Sequence, residues 1–228
     1  MKKLAIWLAL IFSSLSVLGG CSDSGIETRP EPVKVTAQIP PLDAAMLRAA
    51  ARGDNASLKE LLDKGVNINM RGGDRNTPIM EAAYAGHLDT VKLLLDHGAD
   101  LSAKKNDGAT PLTLTSNKEI TELFHNVSAL VAAAGNGDSR GVNESIDKGT
   151  PLNGLDQSGH SALTEACWNG KTGIVKLLLD KGADPNIGKS DGETPLSLAT
   201  SRQHADIVKL LQEAIAKQAK GNATPSGK

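Results

Sequence analysis

The sequence predicts an all-α solenoid, in which short helix pairs stack along the chain. Two nested periods predict it. One long block occurs twice, with equivalent Gly and Thr/Ser residues 84 positions apart, and within each block such residues recur every 33 positions. Gly53, Gly86 and Gly170 show both steps. Periods of this length are typical of stacked units, none of which buries its apolar face alone. We therefore predict six units, which begin at positions 44, 77, 110, 128, 161 and 194.

Each full unit is predicted to contain two helices separated by a tight turn. In the second unit, Thr77 is placed as an N-cap and Pro78 at the first helical position, where its missing N–H is harmless. Gly86 permits the reversal, and the apolar residues of 91–95 recur at helical spacing. Gly98 is placed to end the second helix in the left-handed region. An Asn-Asp-Gly turn before the next Thr-Pro predicts a protruding hairpin, or finger.

These motifs resemble the ankyrin repeat over about residues 43–213. The resemblance rests on Thr-Pro-Ile or Thr-Pro-Leu at three unit starts and on Gly-Ala-Asp at 98–100 and 182–184, all in register. It implies helix-turn-helix units with β-turn fingers, and a concave surface of fingers and first helices that binds proteins. The family's histidine after Thr-Pro-Leu is missing, so we expect its Thr–His hydrogen bonds to be lost and stability to fall. The replacements are Met80, Thr113, Thr164 and Ser197.

The third unit is shortened. Its Thr110 is followed by the next equivalent position, Ser128, after a step of 18 positions instead of 33, with no Gly-Ala-Asp between them. We therefore predict two triplets of units, at residues 43–126 and 127–214. Four fingers are expected in two pairs, with a gap between the helices of the third and fourth units. The alternative is a degenerate linker over residues 113–127.

The N-terminus, residues 1–20, is predicted to be a lipoprotein signal peptide. Two lysines precede an apolar run from Leu4 to Leu18, which is short for a membrane-spanning helix. The run continues into Leu-Gly-Gly-Cys, which resembles the lipobox of bacterial lipoproteins. That resemblance implies lipidation of Cys21, and Ser22 after it favours the outer membrane. An ordinary secretory signal that happens to contain a cysteine is the alternative.

The expected location is therefore the periplasmic side of the bacterial envelope. Residues 21–42 are rich in Ser, Pro, Thr and Glu and predict a flexible spacer after the lipid anchor. Residues 215–228 predict a polar, disordered tail. The chain has two cysteines, and lipidation of Cys21 would leave Cys167 without an intramolecular partner, so no disulfide is expected.

Composition argues against nucleic-acid binding and against catalysis. The net charge of −1 gives no basic footprint for nucleic acid. The five histidines are scattered, with no HExxH or CxxC spacing, so we predict no metal, no cofactor and no catalytic residue. Cys167 stands where other units carry a small residue, and we expect it to be buried rather than nucleophilic.

Partner-binding residues are predicted where the family's repeats face a partner, just before the helix-turn glycine. Tyr84 and Trp168 occupy one equivalent position, and Trp, Tyr and Arg dominate interface hot spots. Three repeat steps predict a separation of about 25–30 Å, which a protein-sized partner would bridge. The alternative is that each ring covers a neighbouring helix. Other candidates on first helices and finger tips are Arg52, Asn169, Arg202, Asp107, His160 and Asp191.

The expected function is therefore binding. We expect a monomeric, lipid-anchored periplasmic protein whose concave face binds a protein partner. Its most specific version is an immunity protein that inhibits a secreted effector such as a phospholipase toxin. The alternative is a structural or chaperone-like scaffold for a periplasmic enzyme such as a catalase, acting in oxidative-stress protection. An inhibitor blocks its partner's activity, whereas a scaffold leaves it intact.

Overall fold

The computed structural model describes residues 41–222. The predicted signal at 1–20, the lipidation site Cys21 and the spacer as far as residue 40 lie outside the described residues. Within the described range the secondary structure is helical, without strands, and no helix is both long and apolar enough to cross a membrane. The helices are α1 (Pro41–Arg52), α2 (Asn55–Asp63), α3 (Pro78–Ala85), α4 (Leu88–Asp96), α5 (Pro111–Leu114), α6 (Lys118–Asn136), α7 (Ser139–Asp147), α8 (Ala162–Trp168), α9 (Thr172–Asp180), α10 (Pro195–Ser201) and α11 (Ala205–Asn222).

The expected ankyrin-type helix pairs are present. Units 1, 2, 5 and 6 consist of α1–α2, α3–α4, α8–α9 and α10–α11. Gly86 ends α3 with φ 79° and Gly98 follows α4 with φ 86°, both in the left-handed region. The first helices pack side by side, α1 on α3 and α8 on α10, and each contacts its own second helix. The all-α repeat solenoid is therefore confirmed.

Hydroxyl pairs replace most of the missing Thr–His hydrogen bonds. Three first helices begin with a capping box, in which two side chains each bind the backbone N–H of the other residue. The pairs are Thr110 with Thr113, Ser161 with Thr164, and Thr194 with Ser197.

Unit 2 differs because the apolar side chain of Met80 stands at the third helical position. Thr77 therefore makes no side-chain cap, and its buried Oγ1 finds no hydrogen-bond partner among the described residues. Of the four cap positions that lack the histidine, this one is left without a side-chain cap, and the expected loss of stability stays a prediction.

Two hydrophobic cores divide the described chain. The first extends from Met46 to Val127 and the second from Leu130 to Leu211. The boundary falls inside α6, within one turn of helix. Buried apolar residues thus form two separate cores, as the duplicated block predicts.

The third and fourth units are joined by one helix, which contradicts the predicted gap. The first helix of unit 3, α5, has only 4 residues, whereas α6 runs for 19 residues through the second helix of unit 3 and the first helix of unit 4. Its sequence contains no proline, and its first glycine is Gly135, near its end. Nothing in the sequence therefore stops the helix where a finger would otherwise begin.

Four hairpins form the fingers, which we name finger A (64–76), finger B (97–109), finger C (148–160) and finger D (181–193). Finger A bonds to finger B, since the N–H of Asn106 donates to the carbonyl of Asp74 over 3.3 Å. Finger C bonds to finger D in the same way, from the N–H of Ser190 to the carbonyl of Gly159 over 2.9 Å.

Fingers B and C also bond to each other. The N–H of Leu101 donates to the carbonyl of Leu155 over 3.1 Å, and a parallel bridge pairs Asp100 with Leu155. The expectation of two separate pairs of fingers is therefore wrong: because unit 3 has no finger, finger C takes the place beside finger B.

The second triplet also packs on the end of α4. The side-chain amide of Asn153 donates to the carbonyl of Asp96 over 2.7 Å, and Gly154 lies between Leu95 and Val127. Ile187 of finger D lies against Gly98. These contacts link units 2, 4 and 5 directly. The predicted separation of the two aromatic anchors assumed a uniform stack, and that assumption does not hold.

The ends of the repeat region extend further than predicted. Helix α1 begins at Pro41, inside the predicted spacer 21–42. Helix α11 continues to Asn222, so residues 215–222, predicted to be disordered, are helical. Their Ala, Lys and Gln residues have high helix propensity, and Gln218 accepts a hydrogen bond from Asn186 of finger D over 2.7 Å. The last part of the predicted tail, 223–228, lies outside the described residues.

Candidate functional site

Two equivalent pockets lie between first helices and fingers, one in each triplet. The Tyr84 pocket has a volume of about 290 Å³ and the Trp168 pocket about 180 Å³. Each residue that lines the first pocket has its counterpart 84 positions later in the second. The lining pairs are Asn76 and His160, Met80 and Thr164, Glu81 and Glu165, Tyr84 and Trp168, Lys105 and Lys189, and Leu114 and Leu198.

The aromatic side chain is the most exposed apolar part of each pocket. Tyr84 is 73% exposed and Trp168 is 39% exposed. Among the described residues, Leu42 is the other exposed large hydrophobic side chain. The structure therefore places both predicted anchors on the surface. The alternative, that each ring merely covers a neighbouring helix, does not fit a tyrosine exposed to this degree.

A fixed carboxylate stands one helical turn before each ring. Oε1 of Glu81 accepts a hydrogen bond from the side-chain amide of Asn76. In the second pocket, Nδ1 of His160 lies 3.1 Å from Oε2 of Glu165. Asn169, at the end of α8, donates to Oε1 of the same carboxylate over 3.2 Å. Both glutamates are thus oriented by the residue five positions earlier, and Glu, Lys and Leu recur at equivalent places in the two pockets.

A lysine from the next finger lies opposite each carboxylate, bound to acidic residues. Nζ of Lys105 lies 2.9 Å from Oδ2 of Asp74, and this hydrogen bond raises the pKa of Lys105. Nζ of Lys189 lies 2.8 Å from Glu193 and 2.9 Å from Asp191, and these two bonds raise its pKa in the same direction. Both ammonium groups therefore stay charged and are held in place.

Arg202 covers the ring of Trp168. Its Cζ atom lies 3.3 Å from the ring centroid, in a cation–π contact. Arg202 is the C-cap residue of α10, the first helix of unit 6. Two predicted site residues are therefore brought together, and the arginine covers part of the Trp168 ring.

The remaining predicted residues do not all join these pockets. Exposed Arg52 lines a separate shallow hollow at the first unit, beside Asp54 and Glu60. Asp107 accepts a hydrogen bond from the N–H of Ala109 in the turn of finger B, and Asp191 accepts one from Glu193 in finger D. These two aspartates therefore fix finger turns. As binding residues, all of these remain predictions.

Sequence reasoning did not single out Lys105 and Lys189. Each lies on a finger, two positions before a finger-tip aspartate that was predicted as a binding residue, and neither stands just before a helix-turn glycine. Alignment of the two 84-residue blocks could have identified them, because both lysines occupy the same position in their blocks.

Cys167 lies inside the second core. Its side chain is fully buried, and burial raises the pKa of its thiol to about 12. A thiol of this kind is protonated at neutral pH and is a poor nucleophile. The predicted burial is confirmed.

Comparisons with known proteins identify the repeats. A family model described as ankyrin repeats, three copies, matches residues 46–129 and again 129–222. A search of curated proteins finds no match. The two matches meet at residue 129, between Val127 of the first core and Leu130 of the second. Ankyrin repeats generally serve as non-enzymatic scaffolds for protein–protein interaction. The chain therefore belongs to the ankyrin-repeat family.

Proposed function

We propose that this chain is a lipid-anchored protein of the bacterial periplasm that binds a protein partner through its first helices and fingers. We expect it to be a monomer when no partner is bound. In the most specific form of the proposal it inhibits a secreted effector, as an immunity protein does. The lipobox-like Leu-Gly-Gly-Cys sequence supports the anchor at Cys21 and the envelope location. The repeats support the protein partner.

The duplicated pocket carries the proposal. An exposed aromatic ring beside an oriented carboxylate and a held lysine occurs twice, on the surface that ankyrin repeats use for binding. Water-exposed rings add little to the stability of a monomer, whereas Trp, Tyr and Arg are the residues that dominate binding energy at interfaces. Among the described residues, Leu42 is the one other large apolar side chain that is exposed, which makes these two rings the natural anchors.

Capture of the partner from a membrane extract tests the proposal. Replacement of Tyr84 or Trp168 by Ala is expected to weaken binding by about 2 kcal/mol per anchor, which is roughly thirtyfold. Leu42→Ala removes an exposed apolar side chain outside both pockets and serves as the matched control. Circular dichroism should show unchanged helicity in all three variants. Capture that is equally strong with the double variant Tyr84→Ala, Trp168→Ala would contradict this site.

The partner's own activity distinguishes an inhibitor from a scaffold. If the captured protein is an effector enzyme, a stoichiometric amount of this chain should abolish its activity. If activity stays intact in the complex, the scaffold role applies, with a periplasmic enzyme such as a catalase as partner. An effector gene or a catalase gene next to this one would favour the corresponding outcome.

Membrane fractionation tests the anchor. Cys21→Ser removes the thiol that the lipid would modify, and we expect the protein to move from the membrane fraction to the soluble periplasmic fraction. Cys167→Ser is the matched control, because it changes the other cysteine and should leave the distribution unchanged. Membrane association that persists in Cys21→Ser would argue against lipidation.

A further inference from the structure

We propose that the Tyr84 pocket binds an arginine side chain of the protein partner, in the place that Arg202 takes on Trp168. The inference rests on the proposed function, because it names the chemistry that the partner presents to this site. It starts from the chain's own internal template: at one of the two equivalent aromatic positions, a guanidinium group already lies over the ring.

The shortened third unit is the reason that the pockets differ. Arg202 reaches Trp168 from the end of α10, which has 7 residues. The corresponding helix of the first triplet, α5, has only 4, and the residue 84 positions before Arg202 is Lys118, the first residue of α6. Among the described residues, Arg202 on Trp168 is the one cation–π contact, and the ring of Tyr84 stays 73% exposed.

The charges around the Tyr84 pocket favour a cation. Three carboxylates surround Lys105, those of Asp74, Glu81 and Asp107, and all three act on its ammonium group. The ammonium group of Lys105 is hydrogen-bonded to Asp74, so Glu81, the carboxylate in the pocket lining, has no ion pair of its own among the described residues. Oε1 of Glu81 is bound by Asn76, and within the described part of the chain no donor reaches Oε2. That oxygen is free to accept a hydrogen bond from a ligand.

The combination of ring and carboxylate selects guanidinium over other groups. A guanidinium plane stacks on an aromatic ring while its edge donates hydrogen bonds to a carboxylate, whereas an ammonium group is a compact, strongly hydrated charge. At the equivalent ring of Trp168, a guanidinium group is accommodated with its Cζ atom 3.3 Å from the ring centroid. An apolar side chain would use the ring and leave Oε2 of Glu81 without a donor.

Nuclear magnetic resonance on the full chain tests the inference, because Tyr84 is its single tyrosine. The Cys21→Ser chain, labelled on the tyrosine ring, is titrated with N-acetyl-arginine amide, with the lysine analogue and with the neutral citrulline analogue. We expect saturable shifts of the Tyr84 signals with the arginine probe, binding at least about fivefold weaker for lysine, and no saturable shift with citrulline. Glu81→Gln should weaken arginine binding about fivefold, whereas Asp89→Asn, an exposed carboxylate on α4, should leave it unchanged.

The second pocket supplies a reciprocal test. Removing the internal arginine in Arg202→Ala should open the ring of Trp168 and create a second arginine site, visible as new shifts of the Trp168 indole signal. That signal is identified by its loss in Trp168→Phe. Arg202→Lys keeps the charge but lacks the guanidinium plane, and it should reduce the stacking without removing a cation from the pocket.

The outcomes separate this inference from the proposed function. Equal binding of arginine and citrulline, or arginine shifts confined to residues outside the pocket, would overturn the arginine site. If Tyr84→Ala abolishes capture of the partner while the arginine probe fails to bind, the binding face stands and the arginine inference fails. If the probe binds and capture is unaffected by Tyr84→Ala, the proposed binding face fails while the pocket's preference for arginine stands.

Discussion

The backbone N–H of Leu155 donates to the carbonyl of Ala99 over 3.0 Å, although 56 positions separate the two residues. This bond joins finger C to finger B without any finger of unit 3 between them. It follows from the continuous helix α6, which removes the finger and carries the chain directly into unit 4. The two triplets are therefore coupled through their finger bases as well as through α6.

Gly154 is the position where this coupling is most sensitive to a larger side chain. A Cβ atom added there would lie 2.8 Å from Cδ2 of Leu95, and because Leu95 is fully buried, any shift of its side chain presses on other core residues. We expect Gly154→Ala to lower the free energy of unfolding by about 2 kcal/mol. Urea denaturation followed by circular dichroism measures the change.

Gly173→Ala is the matched control for this substitution. An added Cβ at Gly173 meets nothing within 4 Å, and the residue lies inside α9. Helix propensity predicts a gain of about 0.5–1 kcal/mol instead of a loss. If both variants gain stability, the contact between Leu95 and the base of finger C is looser than the structure indicates.

Thr77 and Thr110 should respond in opposite ways to the same substitution. The buried hydroxyl of Thr77 has no hydrogen-bond partner among the described residues, so Thr77→Val removes an uncompensated polar group and should raise stability by about 1 kcal/mol. Thr110 belongs to a capping box, so Thr110→Val should lower stability by about 1 kcal/mol. Thermal unfolding of the two variants measures the direction of both stability changes. A loss of stability in Thr77→Val would show that the Thr77 hydroxyl is hydrogen-bonded in solution.

The fold was predictable wherever the repeat is regular. The left-handed Gly86 and Gly98, and the helix start after Thr77, follow from residue types with strong conformational preferences at fixed spacing. The break after the third unit was also visible, as the missing Gly-Ala-Asp. The structure that replaces the missing finger was not predictable. Continuation of α6 through Ser128 depends on the absence of any helix breaker and on burial of Val127 and Leu130 in two separate cores.

The candidate site was predictable only in part. Tyr84 and Trp168 follow from their place before the helix-turn glycine. The contact of Arg202 with Trp168 depends on the length of α10 and on a side-chain rotamer, neither of which a repeat register specifies. The finger lysines required knowing that this part of each finger lines a pocket together with first-helix residues, which is a tertiary relationship.

The thiol of Cys167 should be unreactive in the folded protein. Burial raises its pKa to about 12, so the folded state holds the proton that an unfolded chain loses above about pH 8.5. A raised thiol pKa contributes stability that is complete below the unfolded pKa and is lost as the pH rises from there toward 12. In the Cys21→Ser chain, whose remaining cysteine is Cys167, a disulfide reagent at pH 8 should react only after addition of denaturant. Rapid labelling without denaturant would mean that α8 opens locally.

Gln203 occupies the helix-turn position that Gly86 and Gly170 hold in other units. Its φ is 61°, in the left-handed region, where an L-residue with a Cβ is disfavoured by about 1–2 kcal/mol. Glycine avoids this strain but loses more conformational entropy on folding, so Gln203→Gly should raise stability by a net amount of about 0.5–1 kcal/mol. Tryptophan fluorescence during urea denaturation reports on this unit, because Arg202, next to Gln203, stacks on Trp168.

Gly170→Ala makes the opposite change at an equivalent turn. Its φ is 66°, and an added Cβ would lie 2.7 Å from Cε1 of His204, so strain and steric overlap act together. We expect a loss of about 2 kcal/mol or more, measured in the same assay. His204 directly follows Gln203 in the turn between α10 and α11, so the two substitutions act on neighbouring helix turns. A loss of stability in Gln203→Gly would show that the exposed glutamine side chain contributes more to this turn than its backbone strain removes.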